Sequence, residues 1–259
     1  MTCFQAWFQT ARACVLIGLV SAVGAAGAAG AAELQVLSAG AIEPGLTAAV
    51  SAFQRETGHV VHVTFNTAPE LRKRMHGQPV FDVVIAPPAV IADFAGAGQL
   101  SAVRANVGRV GMGVTVRNGA PVPDISSEQA LKQSVLDAQS VVFNRASTGL
   151  YFEGLLRRMG IDVQVQAKAT RYPDGASVLE HVIKGQGREI GFAAMTEILL
   201  YQGKGLKLVG PLPAEVQNYT SYTAAPLGSS SQQVLAQQFV GFLAGPVGKP
   251  LFVAAGVTD

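Results

Sequence analysis

Short apolar runs alternate with segments of helical periodicity over most of the chain. The runs predict strands at residues 34–37, 60–65, 81–86, 109–116, 140–143, 189–193 and 206–209. Helices are predicted at residues 43–57, from residue 69, and at 127–134, 148–159, 230–243 and 247–254, with a further strand–helix pair within 165–184. This alternation predicts α/β layers built on mainly parallel sheets.

Two stretches carry the pattern most clearly. Glu43–Thr57 places Leu46 and Phe53 on one helical face, and Gly58 follows in the position where a left-handed residue ends a helix. Phe81–Ala86 is a continuous apolar run, which is typical of a strand that is buried on both faces of a parallel sheet.

The N-terminus has the pattern of a secretory signal peptide. Arg12 precedes an apolar run from Ala13 to Val23, and small residues then continue to Ala32 with a cleavage pattern near Ala31. The run is shorter than the roughly 18–20 apolar residues that span a bilayer. We therefore expect residues 1–32 to be removed and the protein to be periplasmic.

The predicted mature chain, about 227 residues long, holds few reactive groups. Cys3 and Cys14 lie in the signal segment, so neither a disulfide nor a cysteine-ligated metal is expected. The four histidines are not placed at metal-ligand spacing, and no Gly-x-Ser-x-Gly nucleophile motif occurs. These absences predict a protein that is not an enzyme and carries no cofactor.

Charge and hydropathy exclude two further classes of function. Without Arg12, 18 basic residues stand against 17 acidic ones, which gives no electrostatic footprint for nucleic acid. The long apolar stretches after residue 32 are broken by glycine, proline or charge, so no transmembrane helix is predicted.

Three small-residue loops connect a predicted strand end to a predicted helix start. Unpaired N–H groups and the helix dipole attract anions at such places, beyond the carboxyl ends of strands. In any single loop the polar residues are explained as ordinary helix caps. Three such loops in an exported protein favour an anion site. Its candidate residues are Ser38, Ala39, Gly40, Ala41, Asn66, Thr67, Ala68, Arg145, Ser147, Thr148 and Gly149.

The chain resembles the molybdate-binding proteins of ABC importers, a branch of the type II periplasmic binding proteins. The resemblance covers nearly all of the mature chain. It is carried by Leu34–Gly58, Phe81–Ala86, Ser147–Ile161, Arg188–Ala193 and Asn218–Ala225. It implies two lobes, each a mainly parallel sheet flanked by helices, joined by a two-segment hinge.

The resemblance also assigns positions around the ligand. Two serine hydroxyls of the family fall at Ala41 and Ala68, so both are missing here. Backbone donors fall near Thr148 and Ala193, and a hinge tyrosine falls at Tyr222. Ser38 and Thr67 stand close to the lost serines and are candidate replacements.

The missing hydroxyls favour an organic carboxylate over molybdate or tungstate. Each charge-assisted hydrogen bond contributes roughly 1.5–3 kcal/mol, so two losses weaken the grip on a dehydrated oxyanion. Arg145 stands in a ligand loop, and an arginine fork suits a planar carboxylate. A molybdate-type oxyanion remains the alternative ligand.

We therefore expect a monomeric solute-binding protein that delivers a small anion to an ABC permease. Proline- and glycine-rich breaks near 118–123 and 210–217 also favour two lobes. Lobe 1 is predicted at 33–114 and 223–259, and lobe 2 at 115–222, with closure about Gly113–Val116 and Tyr219–Ala225. A periplasmic enzyme or sensory module on the same fold is the alternative from another class.

Overall fold

Nine strands and ten α-helices alternate along residues 30–76 and 80–259, the part of the chain that the computed structural model describes. The strands are β1 Glu33–Ala39, β2 Val60–Asn66, β3 Val83–Ala86, β4 Ala105–Arg117, β5 Ser140–Asn144, β6 Ala169–Tyr172, β7 Glu189–Ala194, β8 Leu206–Pro211 and β9 Tyr219–Pro226. The helices are α1 Glu43–Thr57, α2 Ala68–Met75, α3 Pro88–Gly96, α4 Glu128–Asp137, α5 Ser147–Arg158, α6 Asp162–Gln166, α7 Gly175–Lys184, α8 Met195–Tyr201, α9 Gln233–Leu243 and α10 Gly248–Ala254.

The strands follow one hydrogen-bonded path in the order β2-β1-β3-β9-β4-β7-β5-β6, and β8 pairs with β4. The pairs β2-β1-β3 are parallel, and so are β7-β5-β6. The long strands β9 and β4 run antiparallel to each other and to their outer neighbours. Two parallel groups are therefore joined through a pair of antiparallel crossing strands.

Each parallel group has its own apolar core. In the first, Phe53 of α1 makes edge contacts with Phe239 and Phe242, at ring-centre distances of 5.0 and 5.2 Å. In the second, Phe152 of α5 stacks on Phe192 at 3.8 Å and meets Phe143 edge-on. A smaller cluster on the opposite face packs α7 and α8 on the same group of strands.

The crossing strands pass from one core to the other within a few residues. In β4, Val110 belongs to the first core and Met112 to the second. At this point Gln217 accepts a hydrogen bond from the Met112 N–H and donates one to the Met112 carbonyl, both at 3.0 Å. The lobe boundaries at residues 114/115 and 222/223 stay a prediction.

The predicted α/β architecture of the type II periplasmic binding proteins is confirmed. Helix α1 occupies the predicted residues, and Gly58 ends it with a φ of 73°. The strand–helix pair predicted within 165–184 is present as β6 and α7, although β6 begins only at Ala169, because α6 extends through Val165. In α6, Val163 is exposed and Val165 packs into the second core.

Two expectations concern membranes and the N-terminus. No helix within the described residues has the length and apolar character that crossing a bilayer requires. The predicted signal peptide, with Cys3 and Cys14, lies outside the described residues as far as residue 29.

Candidate functional site

A cavity of about 310 Å³, here called the cleft, lies at the carboxyl ends of six parallel strands. We call its two sides the first and the second wall. The first wall consists of Ala39, Gly40, Ala41, Glu43, Phe65, Asn66, Thr67, Ala68, Glu70, Pro87 and Tyr222. The second wall consists of Asn144, Ala146, Ser147, Thr148, Pro173, Asp174, Gly175, Ala176, Ala194 and Glu197. The position matches the place where open α/β sheets bind ligands.

The first wall holds polar groups without partners. The side-chain nitrogen of Asn66 is buried and has no hydrogen-bond acceptor among the described residues. Thr67 is the N-cap of α2, yet its side chain makes no capping hydrogen bond. Ala41 and Ala68 contribute methyl groups where the resemblance places serines. Because a buried unpaired donor costs free energy, this wall is suited to a ligand that brings acceptor oxygens.

In the second wall, Asn144 organises the loop that opens α5. Its side-chain oxygen accepts hydrogen bonds from the Ala146 N–H at 3.0 Å, the Thr148 hydroxyl at 3.1 Å and the Gly149 N–H at 3.0 Å. Gly149 is required here, since a Cβ would overlap the backbone carbonyl of Asn144. The loop is therefore fixed by internal bonds before any ligand arrives.

Asp174 likewise accepts a backbone hydrogen bond at the start of α7. It is the N-cap residue, and its carboxylate accepts a hydrogen bond from the Ser177 N–H at 2.8 Å. A carboxylate in this position is stabilised by the helix dipole. Both long helices of the second wall thus have N-terminal donors that are already occupied by an acceptor of the chain.

Glu197, the third residue of α8, brings a further carboxyl group into the cleft. It accepts a hydrogen bond from the Ala194 N–H at 3.3 Å. Burial, opposed by that bond and reinforced by the charges of Asp174 and Glu43, raises the pKa of Glu197 to about 7. A pKa of about 7 leaves both protonation states of this group populated near neutral pH.

Tyr222 closes the first wall from β9. Its side chain is buried, and burial together with the charge of Glu197 raises the pKa of its hydroxyl. The hydroxyl therefore remains protonated and able to donate a hydrogen bond at physiological pH. In α8, the Thr196 hydroxyl donates a hydrogen bond to the Ala41 carbonyl, which links α8 to the first wall.

The electrostatic character of the cleft is acidic. The described lining residues include the carboxyl groups of Glu43, Glu70, Asp174 and Glu197, and no lysine, arginine or histidine. The lining therefore offers an anion neutral donors rather than ion pairs. No group of three or more histidine, cysteine, aspartate or glutamate residues in the described chain could hold a metal ion.

The structure brings most of the predicted site residues together. Nine of them line the cleft, namely Ala39, Gly40, Ala41, Asn66, Thr67, Ala68, Ser147, Thr148 and Tyr222. That these residues bind a ligand stays a prediction.

Four predicted residues do not line the cleft. Ser38 is fully buried in β1, where its hydroxyl donates to the Ala39 carbonyl at 3.2 Å. Gly149 lies behind Asn144, and Ala193 is buried in β7 one residue before the lining. Arg145 is exposed, and its N–H donates to the Tyr172 carbonyl.

The basic residues of α2 also lie away from the cleft. Arg72 pairs with Asp93 at 2.7 Å, and Lys73 lies 3.9 Å from Glu70 on an exposed face. Arg145, the arginine that the sequence suggested for a carboxylate, is exposed, and neither it nor a basic residue of α2 is part of the lining.

The acidic lining residues were not predicted from the sequence, because the pattern that indicated an anion site consisted of hydroxyl and amide groups in loops. One signal for Glu197 was present in the sequence. It stands three residues after the end of an apolar strand, where glutamate bonds the N-terminal backbone of a helix. Pro173 and Asp174 likewise precede the apolar periodicity of α7, as a helix start requires.

Comparison with known proteins places the chain among binding proteins of this shape. It is similar to a protein named aconitate isomerase from Pseudomonas sp., with 28% identity over 218 residues that cover 82% of each chain. It also resembles the periplasmic molybdate-binding protein of Azotobacter vinelandii, with a TM-score of 0.72 and 18% identity over 87% of this chain and 99% of that one. PEB3 bound to L-phospholactate has a TM-score of 0.67 and 12% identity over 87% of this chain and 99% of PEB3.

A family match agrees with these likenesses and covers nearly the whole described chain. The family is described as bacterial extracellular solute-binding protein, and it matches residues 34–258. The predicted resemblance to solute-binding proteins is thereby confirmed, and this chain belongs to the family of bacterial extracellular solute-binding proteins.

Proposed function

We propose that this protein binds a small organic carboxylate in the cleft and delivers it to an ABC permease of the inner membrane. The observation that carries the proposal is Asn66, a residue that lines the cleft and whose buried side-chain nitrogen has no hydrogen-bond acceptor among the described residues. Native proteins rarely leave such a donor unpaired, and a ligand oxygen would satisfy it. Thr67, Ser147 and Tyr222 supply further neutral donors around the same space.

Two features favour a carboxylate over a tetrahedral oxyanion. Ala41 and Ala68 remove the two hydroxyls that the family resemblance assigns to oxyanion binding. Their loss costs roughly 3–6 kcal/mol if each such bond contributes about 1.5–3 kcal/mol. The cavity of about 310 Å³ also falls within the range usual for small organic ligands, about 300–1,000 Å³.

The names of two similar proteins agree with this ligand class. One is named for the isomerisation of aconitate, which is a carboxylate, and PEB3 is bound to L-phospholactate, which carries a carboxylate beside its phosphate. The likeness to the molybdate-binding protein supports the alternative, a molybdate- or tungstate-type oxyanion. The two hypotheses assume the same site and differ only in the ligand.

Because the protein has two separate cores, two lobes could move as units and close around the ligand. We infer lobes at 33–114 with 223–259 and at 115–222, which bend where β4 and β9 pass between the cores. Domain closure of this kind is general among periplasmic binding proteins. Small-angle scattering of the monomeric protein should show a smaller radius of gyration when ligand is added, and an unchanged radius would contradict closure.

Thermal unfolding against a ligand panel tests the function. The panel contains cis- and trans-aconitate, citrate, succinate, molybdate, tungstate, sulfate and phosphate. A specific ligand at about 1,000 times its Kd adds about 4 kcal/mol and raises Tm by roughly 8–16 °C. A shift with a carboxylate alone supports the proposal, whereas a shift with molybdate or tungstate alone would establish the oxyanion alternative.

Glu197 favours a second candidate function, the isomerisation of an unsaturated carboxylate. With a pKa of about 7, its carboxylate could take a proton from an allylic carbon of the bound acid and return that proton at the far end of the shifted double bond. The name of the relative from Pseudomonas describes such an isomerisation. Proton NMR in D₂O tests this, because turnover would exchange the allylic protons of trans-aconitate and form cis-aconitate. Unchanged spectra over days would leave binding as the only function.

A further inference from the structure

Glu197 lies between the two walls of the cleft, against the second wall and near the first. A Cβ on Gly175, the first residue of α7, would overlap its carboxylate, so the carboxyl group lies directly against the glycine backbone. On the other side, a Cβ on Gly40 of the first wall would lie 3.9 Å from the same carboxyl group. A ligand that fills the cleft therefore has to contact Glu197.

At the position of Glu197, a ligand would contact a side-chain carboxyl group instead of a backbone N–H donor. The resemblance to oxyanion-binding proteins places a backbone donor near Ala193, and the adjacent Ala194 N–H lines the cleft. Glu197 accepts the hydrogen bond of that N–H at 3.3 Å. The carboxyl oxygen thus uses the donor that a ligand anion would otherwise use, and the ligand meets the carboxyl group instead.

The groups that face Glu197 offer no compensating positive charge. Asp174 from α7 and Glu43 from α1 are acidic, and Tyr222 from β9 and Tyr201 from α8 itself are neutral phenols. Two carboxylates in contact without a cation cannot both remain ionised at low energetic cost. A bound anion would therefore shift Glu197 further toward its protonated form.

We propose that Glu197 is a ligand-binding residue that meets the anion as a neutral carboxylic acid and donates a hydrogen bond to it, so that binding takes up one proton. The inference rests on the proposed function, since it needs an anionic ligand in the cleft. It makes Glu197 and Gly175 determinants of specificity, the first as the donor and the second as the residue whose missing side chain makes room for it.

Protonation of Glu197 on binding sets the direction in which ligand affinity depends on pH. Below pH 7 the free protein already carries the proton, so affinity should change little with pH. Above pH 7 the proton has to be taken from solvent, and affinity should fall by up to about tenfold per pH unit. Proton uptake on binding should rise from near zero at pH 6 toward one proton at pH 8.

Titration calorimetry with trans-aconitate tests this. The experiment is run at pH 6 and pH 8, in pairs of buffers with different ionisation enthalpies, because the dependence of the observed heat on the buffer counts the protons taken up. The wild-type protein should bind about tenfold more weakly at pH 8 than at pH 6 and take up close to one proton at pH 8.

Three variants distinguish the role of Glu197 from that of other carboxylates. Glu197→Gln keeps a neutral donor, so it should bind equally at both pH values without proton uptake. Glu180→Gln makes the same change on the exposed face of α7, where Glu180 pairs with Lys184 at 3.5 Å, and should behave as wild type. Gly175→Ala keeps the Glu197 carboxyl group in the chain but displaces it from its position. This variant should therefore take up fewer protons on binding than the wild-type protein.

The outcomes distinguish this inference from the proposed function. Binding of trans-aconitate with equal affinity at both pH values and no proton uptake would overturn the inference and leave carboxylate binding intact. Proton uptake that persists in Glu197→Gln would also overturn it. An absence of binding at both pH values would contradict the carboxylate function and the inference with it.

Discussion

The two walls of the cleft differ in how far their polar groups are satisfied before a ligand binds. In the first wall, the buried side-chain nitrogen of Asn66 has no acceptor among the described residues, and the Thr67 side chain makes no capping hydrogen bond to α2. In the second wall, side chains of the chain itself accept from the backbone N–H groups of Gly149, Ser177 and Ala194.

This difference indicates separate roles for the walls. The first wall offers open donors and should contribute most of the hydrogen bonds to an anion. The second wall is preorganised by its own acceptors and should meet the ligand through Ser147 and the Glu197 carboxyl group. Preorganised donors lower the entropic cost of binding, whereas unpaired donors gain the most from a ligand.

Gly149→Ala should have the largest effect, because it breaks the internal order of the second wall. The new Cβ overlaps the Asn144 carbonyl, so the loop has to open, at a cost of about 3 kcal/mol in the free energy of unfolding. Denaturant titration measures it. Gly154→Ala in the same helix has open space and should stabilise by about 0.5–1 kcal/mol; equal effects of the two substitutions would contradict the geometry.

Glu197→Gln should stabilise the protein at high pH and leave it unchanged at low pH. The folded-state pKa of about 7 lies above the ordinary value of 4.5, so the folded state binds more protons between these values and stability falls as pH rises through that window. Removing the charge should restore about 3 kcal/mol at pH 8 and almost nothing at pH 4. Denaturation at both pH values measures this, and an equal gain at pH 4 would contradict it.

Asn66→Ala should weaken ligand binding without destabilising the free protein. The amide has no internal partner to lose, but a hydrogen bond to an anion contributes about 1.5–3 kcal/mol, so Kd should rise by about tenfold or more. Calorimetric titration measures Kd. Ser101→Ala is the matched control, since the Ser101 hydroxyl is also buried and unpaired among the described residues but lies outside the cleft. Equal losses in both variants would contradict the role of the first wall.

Arg145→Ala should have the smallest effect, a change in Kd of less than about twofold. Arg145 is exposed and does not line the cleft, and screened charges at the surface contribute little. The same titration measures this. A large loss of affinity would support the hypothesis from the sequence that Arg145 binds the carboxylate.

The fold was predictable from the sequence wherever apolar periodicity was strong. The residues of α1 and the αL glycine at Gly58 follow directly from an amphipathic pattern and its stop signal. Helices α3 and α8 were missed, because Pro88–Gly96 is apolar on most faces and Met195–Tyr201 follows β7 without a break. Periodicity cannot separate such short apolar segments from the strands beside them.

The site was predictable mainly in its loops. Loops between strand ends and helix starts led to eight lining residues, because parallel strands place their carboxyl ends at one edge, and the family resemblance supplied the ninth, Tyr222. Burial and side-chain direction are tertiary properties, so the sequence could not indicate that Arg145 points outward or that Glu197 points inward. The acidic character of the cleft follows from Glu197 and its neighbours Asp174 and Glu43.

The most direct test of the account is a side-by-side calorimetric titration of the mature protein with trans-aconitate and molybdate at pH 6. The neutral donors of the first wall and the missing hydroxyls at Ala41 and Ala68 predict saturable binding of trans-aconitate and no measurable heat with molybdate. Tight binding of molybdate together with no binding of trans-aconitate would contradict the account and assign the cleft to tetrahedral oxyanions.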